Sequence, residues 1–514
     1  MTKDKNFLDR QARPVDLSTP HVAVDRHGLA QVRAALDQAG YTSRNVQEAL
    51  KTDQHLSAQP GEVVVFERRL AGPTPPATLM RLFLIGSTVD RVDLEASLPD
   101  VPVGELERLG LVEPAAGGIR STMRIIPHGD IVIACDRNYY GDPQRHEADV
   151  VTGVNSPATL LADLTVRRKV DRALDLGTGG GIQALLVANH SKKVVAVDIN
   201  PRALYFAELN ASLNRVENIE LRLGSWFEPV NGERFDLITA NPPYVISPDS
   251  TFTYRDSGMP ADSLCRQLVR DMPTYLEEGG FGHILISWAL ATDEDWSRPL
   301  RRWVQGLPCD VWLLHYLTDD PLTQAAKWNR PGQNLDLEDY GAALDRWTDY
   351  YGREGIEQIA FGAVIMRRRS GGANWVRAES ITGGRGSAGV LVLRMFEAED
   401  FLRGLTDEAA LLDVKFVLVP EHRLEQRLTS SGGQWQLQEA TLSLAEGIGF
   451  QGNLDINTAM LLQTLDGSNT LGQAVHAVGQ TLELSHDEMA AFSETGIAMA
   501  KRLFQLGFLV VAPS

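Results

Sequence analysis

The sequence predicts an α/β protein: a seven-stranded parallel sheet with helices on both faces, flanked on either side by a winged-helix-like module. Two observations in the middle of the chain predict the sheet. Apolar, strand-like segments alternate there with helix-like segments, which is the order that parallel strands with helical crossovers require. A glycine-rich turn also follows the first of these strands and opens a helix directly. The seven candidate strands are residues 172–176, 193–197, 219–223, 235–240, 281–287, 311–315 and 360–367.

We expect three domains, at residues 1–145, 146–369 and 370–514. A chain of 514 residues exceeds what one hydrophobic core usually serves, so more than one domain is expected. The second boundary is placed near residue 370 because glycine-containing stretches at 370–374 and 381–387 cannot pack a core.

The first domain has the element order of a winged helix. Helix-like segments at 78–84, 93–97 and 103–109 precede two predicted strands between residues 123 and 135, around a His128-Gly129-Asp130 turn. A similar order recurs near the C-terminus, where helix-like segments at 458–465, 471–478 and 488–506 precede the apolar stretch 507–511. Arg108 is the only basic residue between positions 103 and 109, which favours partner docking; RNA contact stays open as the alternative.

The composition is that of an ordinary globular protein, with 43% hydrophobic and 23% charged residues. The chain has no apolar run of roughly 18 residues, and its first residues lack the apolar segment of a secretory signal. We therefore expect a cytoplasmic protein without a membrane partner. The formal net charge of −18 argues against non-specific binding of duplex nucleic acid, which normally needs a broad basic surface.

No metal site is expected. The three cysteines, Cys135, Cys265 and Cys309, are widely spaced and form no Cys-x-x-Cys pair, which argues against a disulfide framework and against zinc. The eleven histidines have no metal-binding spacing such as H-E-x-x-H.

The glycine-rich turn is the candidate cofactor site, and it reads Asp175-Leu176-Gly177-Thr178-Gly179-Gly180-Gly181. A dinucleotide fold prefers G-x-G-x-x-G, whereas here Ile182 stands where the third glycine would be. The spacing fits S-adenosyl-L-methionine better, because glycine lets the backbone approach the methionine moiety without a Cβ collision. Asp198, at the end of the second strand, can accept both ribose hydroxyls with either cofactor.

The segment Asn241-Pro242-Pro243-Tyr244 is the candidate acceptor site, and it ends the apolar strand 235–240. Each proline has a locked φ and no N–H, so the Asn241 side-chain carbonyl and the Pro242 backbone carbonyl are held in fixed directions. Two acceptors held in this way suit a planar –NH2 group, and the Tyr244 ring supplies a face on which such a group stacks. The segment therefore indicates N-methylation.

Together these segments resemble the Rossmann-like class I methyltransferases that carry an N-P-P-[YF] motif. The similarity rests on the glycine turn, on Asp198, on the turn 224–229 and on the Asn-Pro-Pro-Tyr segment, and it spans roughly residues 145–290. Within that class the chain most resembles the HemK family of release-factor glutamine methyltransferases and the small methyltransferases of ribosomal RNA. The resemblance implies a Rossmann-like seven-stranded sheet and methyl transfer that depends on S-adenosyl-L-methionine.

The resemblance also implies a role for each candidate residue. The implied cofactor-binding residues are Thr159, Asp175, Gly177, Gly179, Gly181, Asp198, Ser225, Trp226 and Asn241. The glycines would cradle the methionine portion, Asp198 the ribose, and Ser225 and Trp226 the adenine. The implied catalytic residues are Asn241 and Pro242, which would accept the hydrogens of the –NH2 group, and Tyr244, which would stack on its plane. Trp226 could equally be a core residue, and Thr159 a helix cap.

Three functions follow from this reading. The favoured one is methylation of a glutamine side chain in a protein, such as a translation factor or a ribosomal protein. The alternative is methylation of an exocyclic base amine, N6 of adenine or N2 of guanine, in RNA or DNA, since a base amine is also a planar –NH2 group. A non-catalytic scaffold that keeps the cofactor fold is the third, and the intact motifs argue against it.

Overall fold

The computed structural model describes residues 24–52, 60–70, 72–137, 148–329, 337–381, 386–431 and 434–513. The N-terminal part is mainly helical. Its helices are Arg26–Gln38, Ser43–Leu50, Pro60–Arg69, Pro75–Leu79, Arg91–Ser97 and Val103–Arg108, with a π-helical turn at Met80–Ile85. Side chains of Asp25 and Thr42 cap the first two helices by accepting a backbone N–H of the first turn.

Two antiparallel hairpins follow these helices. β1 (Val112–Ala115) pairs with β2 (Gly118–Ser121), and β3 (Arg124–His128) pairs with β4 (Ile131–Cys135). The second hairpin contains the two strands that the sequence predicted around His128. The first hairpin is additionally joined to the preceding helices by a bridge between Val89 and Ile119.

The central part contains the predicted α/β sheet. Its strands are β5 (Val170–Leu176), β6 (Ser191–Asp198), β7 (Ile219–Leu223), β8 (Phe235–Ala240), β9 (Leu276–Leu290), β10 (Cys309–Asp319), β11 (Gln358–Arg368) and β12 (Val376–Ser380), in the order β12-β10-β11-β9-β8-β5-β6-β7. Helix Ser156–Leu164 precedes β5. The helices between the strands are Ile182–Ala188, Pro201–Leu213, Ser263–Asp271, Ser297–Val304, Pro321–Trp328 and Leu337–Glu354, with short 3-10 turns at Glu228–Val230 and Met272–Tyr275. All seven predicted strands are present.

The prediction of seven parallel strands was wrong in two respects. First, β11 runs antiparallel to both β9 and β10. Helix Leu337–Glu354, which precedes β11, buries Trp347 and Tyr351 against Val245 and Ile246, which follow the carboxyl end of β8. The chain therefore enters β11 from the carboxyl edge of the sheet, and β11 has to run in the opposite direction.

Second, the sheet has an eighth strand within the described ranges, because β12 pairs in parallel with β10. β12 is half-exposed at the sheet edge and carries Arg377 and Glu379, so its sequence lacks the apolar signature of a buried strand. Its partners are long-range: Arg377 pairs with Glu399 at 3.0 Å, and Glu379 pairs with Arg502 at 3.1 Å. The three-domain division stays a prediction; β12 lies beyond position 369 and belongs to this sheet.

The C-terminal part is a mixed region that packs on one face of the sheet. Its helices are Gly389–Gly404, Ile456–Gln463, Leu471–Thr481 and His486–Gln505, with a 3-10 turn at Glu408–Asp413. Its strands are β13 (Phe416–Leu418), β14 (His422–Ser431), β15 (Gln434–Leu444), β16 (Gln451–Leu454) and β17 (Leu509–Val511). Phe396, Phe416 and Phe504 share one buried cluster with Trp312 and Leu285 of the sheet.

The opposite face of the sheet has its own core, in which Leu174, Ile238 and Trp288 pack with Leu264 and Leu300 of the covering helices. The sheet is thus buried on both faces, as parallel sheets generally are. None of the helices in the described ranges combines the length and the apolar composition that a bilayer-spanning helix needs.

Candidate active site

The candidate site lies at the carboxyl edge of the sheet, where the strand order reverses. β5 is flanked by β6 on one side and β8 on the other, and a crevice forms at such a reversal in open α/β sheets. Leu176, the last residue of β5, is paired with Ala240 of β8 and with Val197 of β6. The residues that follow these positions, Gly177, Asn241 and Asp198, are therefore brought to the same edge. The structure thus places the two predicted motifs side by side.

The glycine turn has a backbone conformation that favours glycine. Gly177, Gly179 and Gly181 have φ values of 71°, 54° and 83°, a left-handed conformation that other residues rarely adopt. Gly181 starts helix Ile182–Ala188, and a Cβ added to it would lie 3.2 Å from the Cβ of Ala207. A Cβ on Gly179 would meet nothing within 4 Å, so this glycine borders open space.

Asp198 joins the turn to the second strand. Its carboxylate accepts hydrogen bonds from the N–H groups of Gly179, at 2.8 Å, and Asn200, at 2.9 Å. Burial raises the pKa of Asp198, against the lowering effect of these backbone N–H groups. Each carboxylate oxygen accepts more than one hydrogen bond, so Asp198 retains capacity for ligand hydroxyls.

Asp175 lies in the interior beneath the turn. It is 1% exposed, and its carboxylate accepts hydrogen bonds from Thr178 Oγ1 at 2.6 Å, Thr239 Oγ1 at 2.9 Å and the Ala184 N–H at 3.1 Å. Burial raises the pKa of Asp175 to about 6. This carboxylate connects the turn to β8 and to the helix that follows the turn.

The Asn-Pro-Pro-Tyr segment contains a buried acceptor that lacks a donor. The Oδ1 atom of Asn241 is inaccessible to solvent and has no hydrogen-bond partner among the described residues. Such atoms are uncommon in native proteins and call for an explanation. Pro242 is buried beside it. The ring of Tyr244 lies 5.1 Å from that of Phe361, and burial raises the pKa of the Tyr244 hydroxyl.

The turn after β7 lies next to the glycine turn. The Gly224 N–H donates to the Asp198 carbonyl at 3.0 Å, so Ser225 and Trp226 follow directly beside Asp198. Trp226 has a φ of 48°, and its ring lies 3.8 Å from the position of a Cβ built on Gly177. Trp226 is half-buried and also contacts the sheet core, so it belongs to both the core and the site.

Thr159 lies on helix Ser156–Leu164, next to the helix that the glycine turn starts. The Gln183 side chain donates to the Ala158 carbonyl at 2.6 Å and joins these two helices. The N-cap of the helix is Asn155, so Thr159 is not the cap. Its hydroxyl donates to the Asn155 carbonyl at 3.2 Å.

Two apolar residues that the sequence analysis did not select also border the site. Ile199 and Leu223 are 51% and 53% exposed, and they lie at the carboxyl ends of β6 and β7. Leu223 is paired with Asp198 in the sheet. Their positions, directly after Asp198 and at the end of the third strand, are the feature by which they could have been found.

The segment after Tyr244 is held by ionic and hydrogen-bonded contacts. Asp256 accepts hydrogen bonds from Ser247 Oγ at 3.0 Å and from Arg255 Nε at 2.7 Å. The Tyr351 hydroxyl donates to the Ile246 carbonyl at 2.8 Å. These contacts fix the loop beyond the acceptor segment. In the described part of the chain, no three His, Cys, Asp or Glu side chains are arranged to hold a metal ion.

Comparisons with known proteins agree with this arrangement. Residues 152–290 match the methyltransferase small domain family, and residues 38–122 match a domain of unknown function, DUF7059. A Methanocaldococcus jannaschii protein named for N5-glutamine methylation of proteins is 37% identical over 135 residues, which are 25% of this chain and 67% of that protein. The chain belongs to the HemK-type family of class I S-adenosylmethionine-dependent methyltransferases.

Other HemK-type relatives match over shorter shares of their length. The release factor glutamine methyltransferase of Aliivibrio fischeri is 39% identical over 104 residues, 18% of this chain and 37% of that enzyme. The ribosomal protein uL3 glutamine methyltransferase of Bradyrhizobium diazoefficiens is 36% identical over 124 residues, 22% of this chain and 39% of that enzyme. The chain spans between 37% and 47% of three release factor glutamine methyltransferases that it matches. The part that matches the methyltransferase small domain, residues 152–290, includes both the glycine turn and Asn241–Tyr244.

Proposed function

We propose that the protein is an S-adenosyl-L-methionine-dependent N-methyltransferase whose acceptor is the side-chain amide of a protein glutamine. The observation that carries the proposal is the Oδ1 atom of Asn241, which is buried without a donor at the edge that also holds the glycine turn. A buried acceptor left unpaired costs free energy. The N–H of an incoming –NH2 group would satisfy it, which makes this position complementary to such a group.

The residues at the carboxyl edge fit the cofactor. Gly179 borders open space and can approach a ligand closely, while Asp198 retains acceptor capacity for the ribose hydroxyls. The exposed Ile199 and Leu223, together with Trp226, offer an apolar surface for adenine beside Asp198, and the polar Ser225 precedes Trp226. We assign Gly177 and Gly181 to the methionine portion and Thr159 to its carboxylate end.

Asp175 takes a different role in this proposal. Its carboxylate already accepts three hydrogen bonds from within the protein, so we assign it to holding the turn rather than to contacting the cofactor. It thereby pre-organises the glycines that would touch the ligand. We also assign Asn241 to the cofactor site. Leu176 is paired with Ala240, so Asn241 and Gly177, the residues that follow them, lie at the same edge of the sheet.

The chemistry needs alignment more than acid–base groups. When bound, the cofactor supplies an electrophilic methyl group on a sulfonium. Asn241 Oδ1 and the Pro242 carbonyl would accept the two hydrogens of the –NH2 group, which raises the electron density on a poorly nucleophilic amide nitrogen. Tyr244 would hold the plane of that group. Positioning of this kind lowers a barrier by up to roughly 7–11 kcal/mol.

The favoured substrate is a protein, such as a translation factor or a ribosomal protein. The relatives named above are named for glutamine methylation of release factors and of a ribosomal protein. The net charge of −18 also disfavours a long nucleic acid. Arg108, the basic residue of helix Val103–Arg108, is paired with both Asp25 and Glu105 and is therefore already neutralised.

The flanking regions are proposed as winged-helix-like docking modules. In the N-terminal region, helices at Pro75–Leu79, Arg91–Ser97 and Val103–Arg108 precede the β1–β2 hairpin, and a bridge links Val89 to Ile119 of that hairpin. This order supports β1–β2 as the wing, in place of the strands around His128. In the C-terminal region, three helices precede β17, which pairs with β13.

The test is transfer of a labelled methyl group from S-adenosyl-L-methionine to components of a cell extract. We expect protease treatment to remove the label from the macromolecules of the extract and nuclease treatment to leave it there. Acid hydrolysis should then release it as methylamine, because hydrolysis of an N-methylated amide yields that product. Label in a methylated nucleoside would support the base-amine alternative, and absence of any transfer by a protein that binds the cofactor would support the scaffold.

A further inference from the structure

We propose that Asn210 is a positioning residue that couples the N-terminal region to the glycine turn. The packing of the N-terminal region against this turn then sets the affinity of the protein for the cofactor. Asn210 lies on helix Pro201–Leu213 and is fully buried. Its side-chain amide is bonded at once to strand β4 and to the backbone of the turn. This inference rests on the proposal that residues 177–181 bind S-adenosyl-L-methionine.

Asn210 uses all of its amide groups in these contacts. Its Oδ1 accepts the N–H of Ala134 at 2.7 Å, and its Nδ2 donates to the carbonyl of Ala134 at 2.9 Å. The same Nδ2 group donates to the carbonyl of Gly180 at 2.8 Å. The side chain thus pairs with β4 as a neighbouring strand would, and it also holds one peptide of the turn.

The Gly180 carbonyl is the important contact, because its orientation fixes the peptide plane between Gly180 and Gly181. Gly181 has a left-handed φ of 83° and starts the next helix. Its N–H donates to the Thr178 carbonyl at 2.9 Å, across the turn. Without the Asn210 donor, the Gly180 carbonyl would lose its partner, and only the Gly181 N–H bond would still hold this peptide. A turn that has to be ordered on binding pays for that ordering in affinity.

The helix that carries Asn210 belongs to both regions. Its residues Phe206, Leu209 and Leu213 are part of the N-terminal hydrophobic core, while Ala207 packs against Gly181. The Arg202 side chain pairs with Asp136, just after β4, at 2.9 Å. Movement of β4 therefore moves the helix, and Asn210 transmits that movement to the turn.

Asn214, the C-cap of the same helix, provides a matched control. Its Oδ1 accepts the N–H of Val132 at 2.9 Å, and its Nδ2 donates to the Val132 carbonyl at 2.7 Å. It therefore pairs with β4 as Asn210 does, two residues away. None of its hydrogen bonds to described residues reaches the turn. The other partners of its side chain are Arg33 and the Asn210 carbonyl, and its backbone N–H donates to the carbonyls of Asn210 and Ser212.

The experiment compares Asn210→Ala with Asn214→Ala by calorimetric titration of the purified full chain with S-adenosyl-L-methionine. Both variants should lower the unfolding temperature, because each leaves β4 groups unpaired. Only Asn210→Ala should also raise the cofactor Kd, by about tenfold, the value of one lost hydrogen bond. Equal Kd values for the two variants, or an unchanged Kd for Asn210→Ala, would overturn the inference. Failure of the wild-type chain to bind would instead overturn the proposed cofactor, and this inference with it.

A second variant and a second measurement test the inference if Asn210→Ala does not fold. Asn210→Leu keeps a similar shape and removes the hydrogen bonds, with Asn214→Leu as its control. In the wild-type chain, saturation with S-adenosylhomocysteine should slow hydrogen exchange of the peptide that contains β4, because coupling is reciprocal. Exchange in β1, which does not contact this helix through a hydrogen bond in the described ranges, should not change. Equal slowing in both strands would contradict a specific link.

Discussion

At the scale of single residues, two buried polar groups near the carboxyl edge of the sheet differ in the hydrogen bonds that they accept. The carboxylate of Asp175 accepts three hydrogen bonds, whereas Oδ1 of Asn241 accepts none among the described residues. A satisfied buried group stabilises local structure, and an unsatisfied one is ready to receive a donor from a ligand. We therefore expect substitution of Asp175 to change the stability of the fold and substitution of Asn241 to change turnover.

Substitution of Asn241 by alanine should abolish most turnover and cause only a modest loss of cofactor affinity. The lost oxygen would act on the acceptor nitrogen in the transition state, and loss of one such group typically lowers kcat by about 10²–10³. Asn374 is the control, because its Oδ1 is also buried and without a partner among described residues, but it lies before β12 at the opposite edge. Turnover and cofactor Kd should both be measured; near wild-type turnover in Asn241→Ala would contradict the assigned role.

Substitution of Asp175 by asparagine should change how stability depends on pH. The pKa of Asp175 is raised to about 6 by burial, so the folded protein holds a proton that the unfolded chain releases between about pH 4 and pH 6. The contribution of this group to the free energy of unfolding is fully present below about pH 4 and is lost as the pH rises through about 6. The asparagine variant lacks this titration, so its free energy of unfolding should fall less across the window. Denaturant unfolding at several pH values measures the difference, and parallel curves would contradict the prediction.

At the scale of elements, the glycine turn and helix Ile182–Ala188 form one unit. The left-handed Gly181 sets the direction of the helix, and its close approach to Ala207 sets the distance between this helix and Pro201–Leu213. Glycine is required there for two separate reasons, backbone conformation and space. Gly180 is required for neither, because it has no left-handed φ and a Cβ on it would have its nearest neighbour at 3.5 Å.

Alanine substitution at these two adjacent glycines should therefore have unequal effects. Gly181→Ala combines a strained φ with a 3.2 Å contact to Ala207, so we expect it to destabilise the fold by roughly 1–3 kcal/mol. Gly180→Ala should change stability by no more than about 0.5 kcal/mol. Chemical denaturation of both variants and of the wild type gives the comparison. Equal stability of the two variants would mean that the backbone at Gly181 is not under this constraint.

At the scale of the whole molecule, the C-terminal part is joined to the sheet by a buried ionic network. Asp310 of β10 is fully buried, and it pairs with Arg367 at 2.8 Å and with Arg403 at 3.2 Å. Arg367 also pairs with Asp400 at 2.6 Å. Arg403 and Asp400 lie on helix Gly389–Gly404, so this helix is connected to two strands of the sheet.

Removal of the Asp310 carboxylate should destabilise the protein by up to about 3–5 kcal/mol. Arg403 would lose its carboxylate partner and Arg367 would lose one of its two, in a largely buried setting. Asp310→Ala is the variant, and thermal and denaturant unfolding are the measurements. Glu425→Ala is the control, since Glu425 and its partner Arg423 are both mostly exposed and such pairs contribute little. A loss at Asp310 no larger than that at Glu425 would contradict a buried network.

Much of the candidate site could be predicted from the sequence, because its elements depend on short segments. Prolines at 242 and 243 and glycines at 177, 179 and 181 restrict or free the backbone at their own positions, whatever the rest of the chain does. Apolar segments of strand length placed both motifs at strand ends, and the sheet register then brought them together. The positions of Ile199 and Leu223 at strand ends could be read from the sequence, but their exposure could not, because an apolar residue in the sequence carries no sign of its exposure.

The sequence by itself determined the α/β class, the seven predicted strands and the chemical character of the two motifs. Only the tertiary structure decided that β11 is antiparallel, that β12 joins the sheet, that Asp175 is directed inward and that Asn210 links β4 to the turn. The physical reason is the separation of the partners along the chain. Asp175 meets Thr239 across 64 positions and Asn210 meets Ala134 across 76, so these contacts exist only after distant segments have packed together.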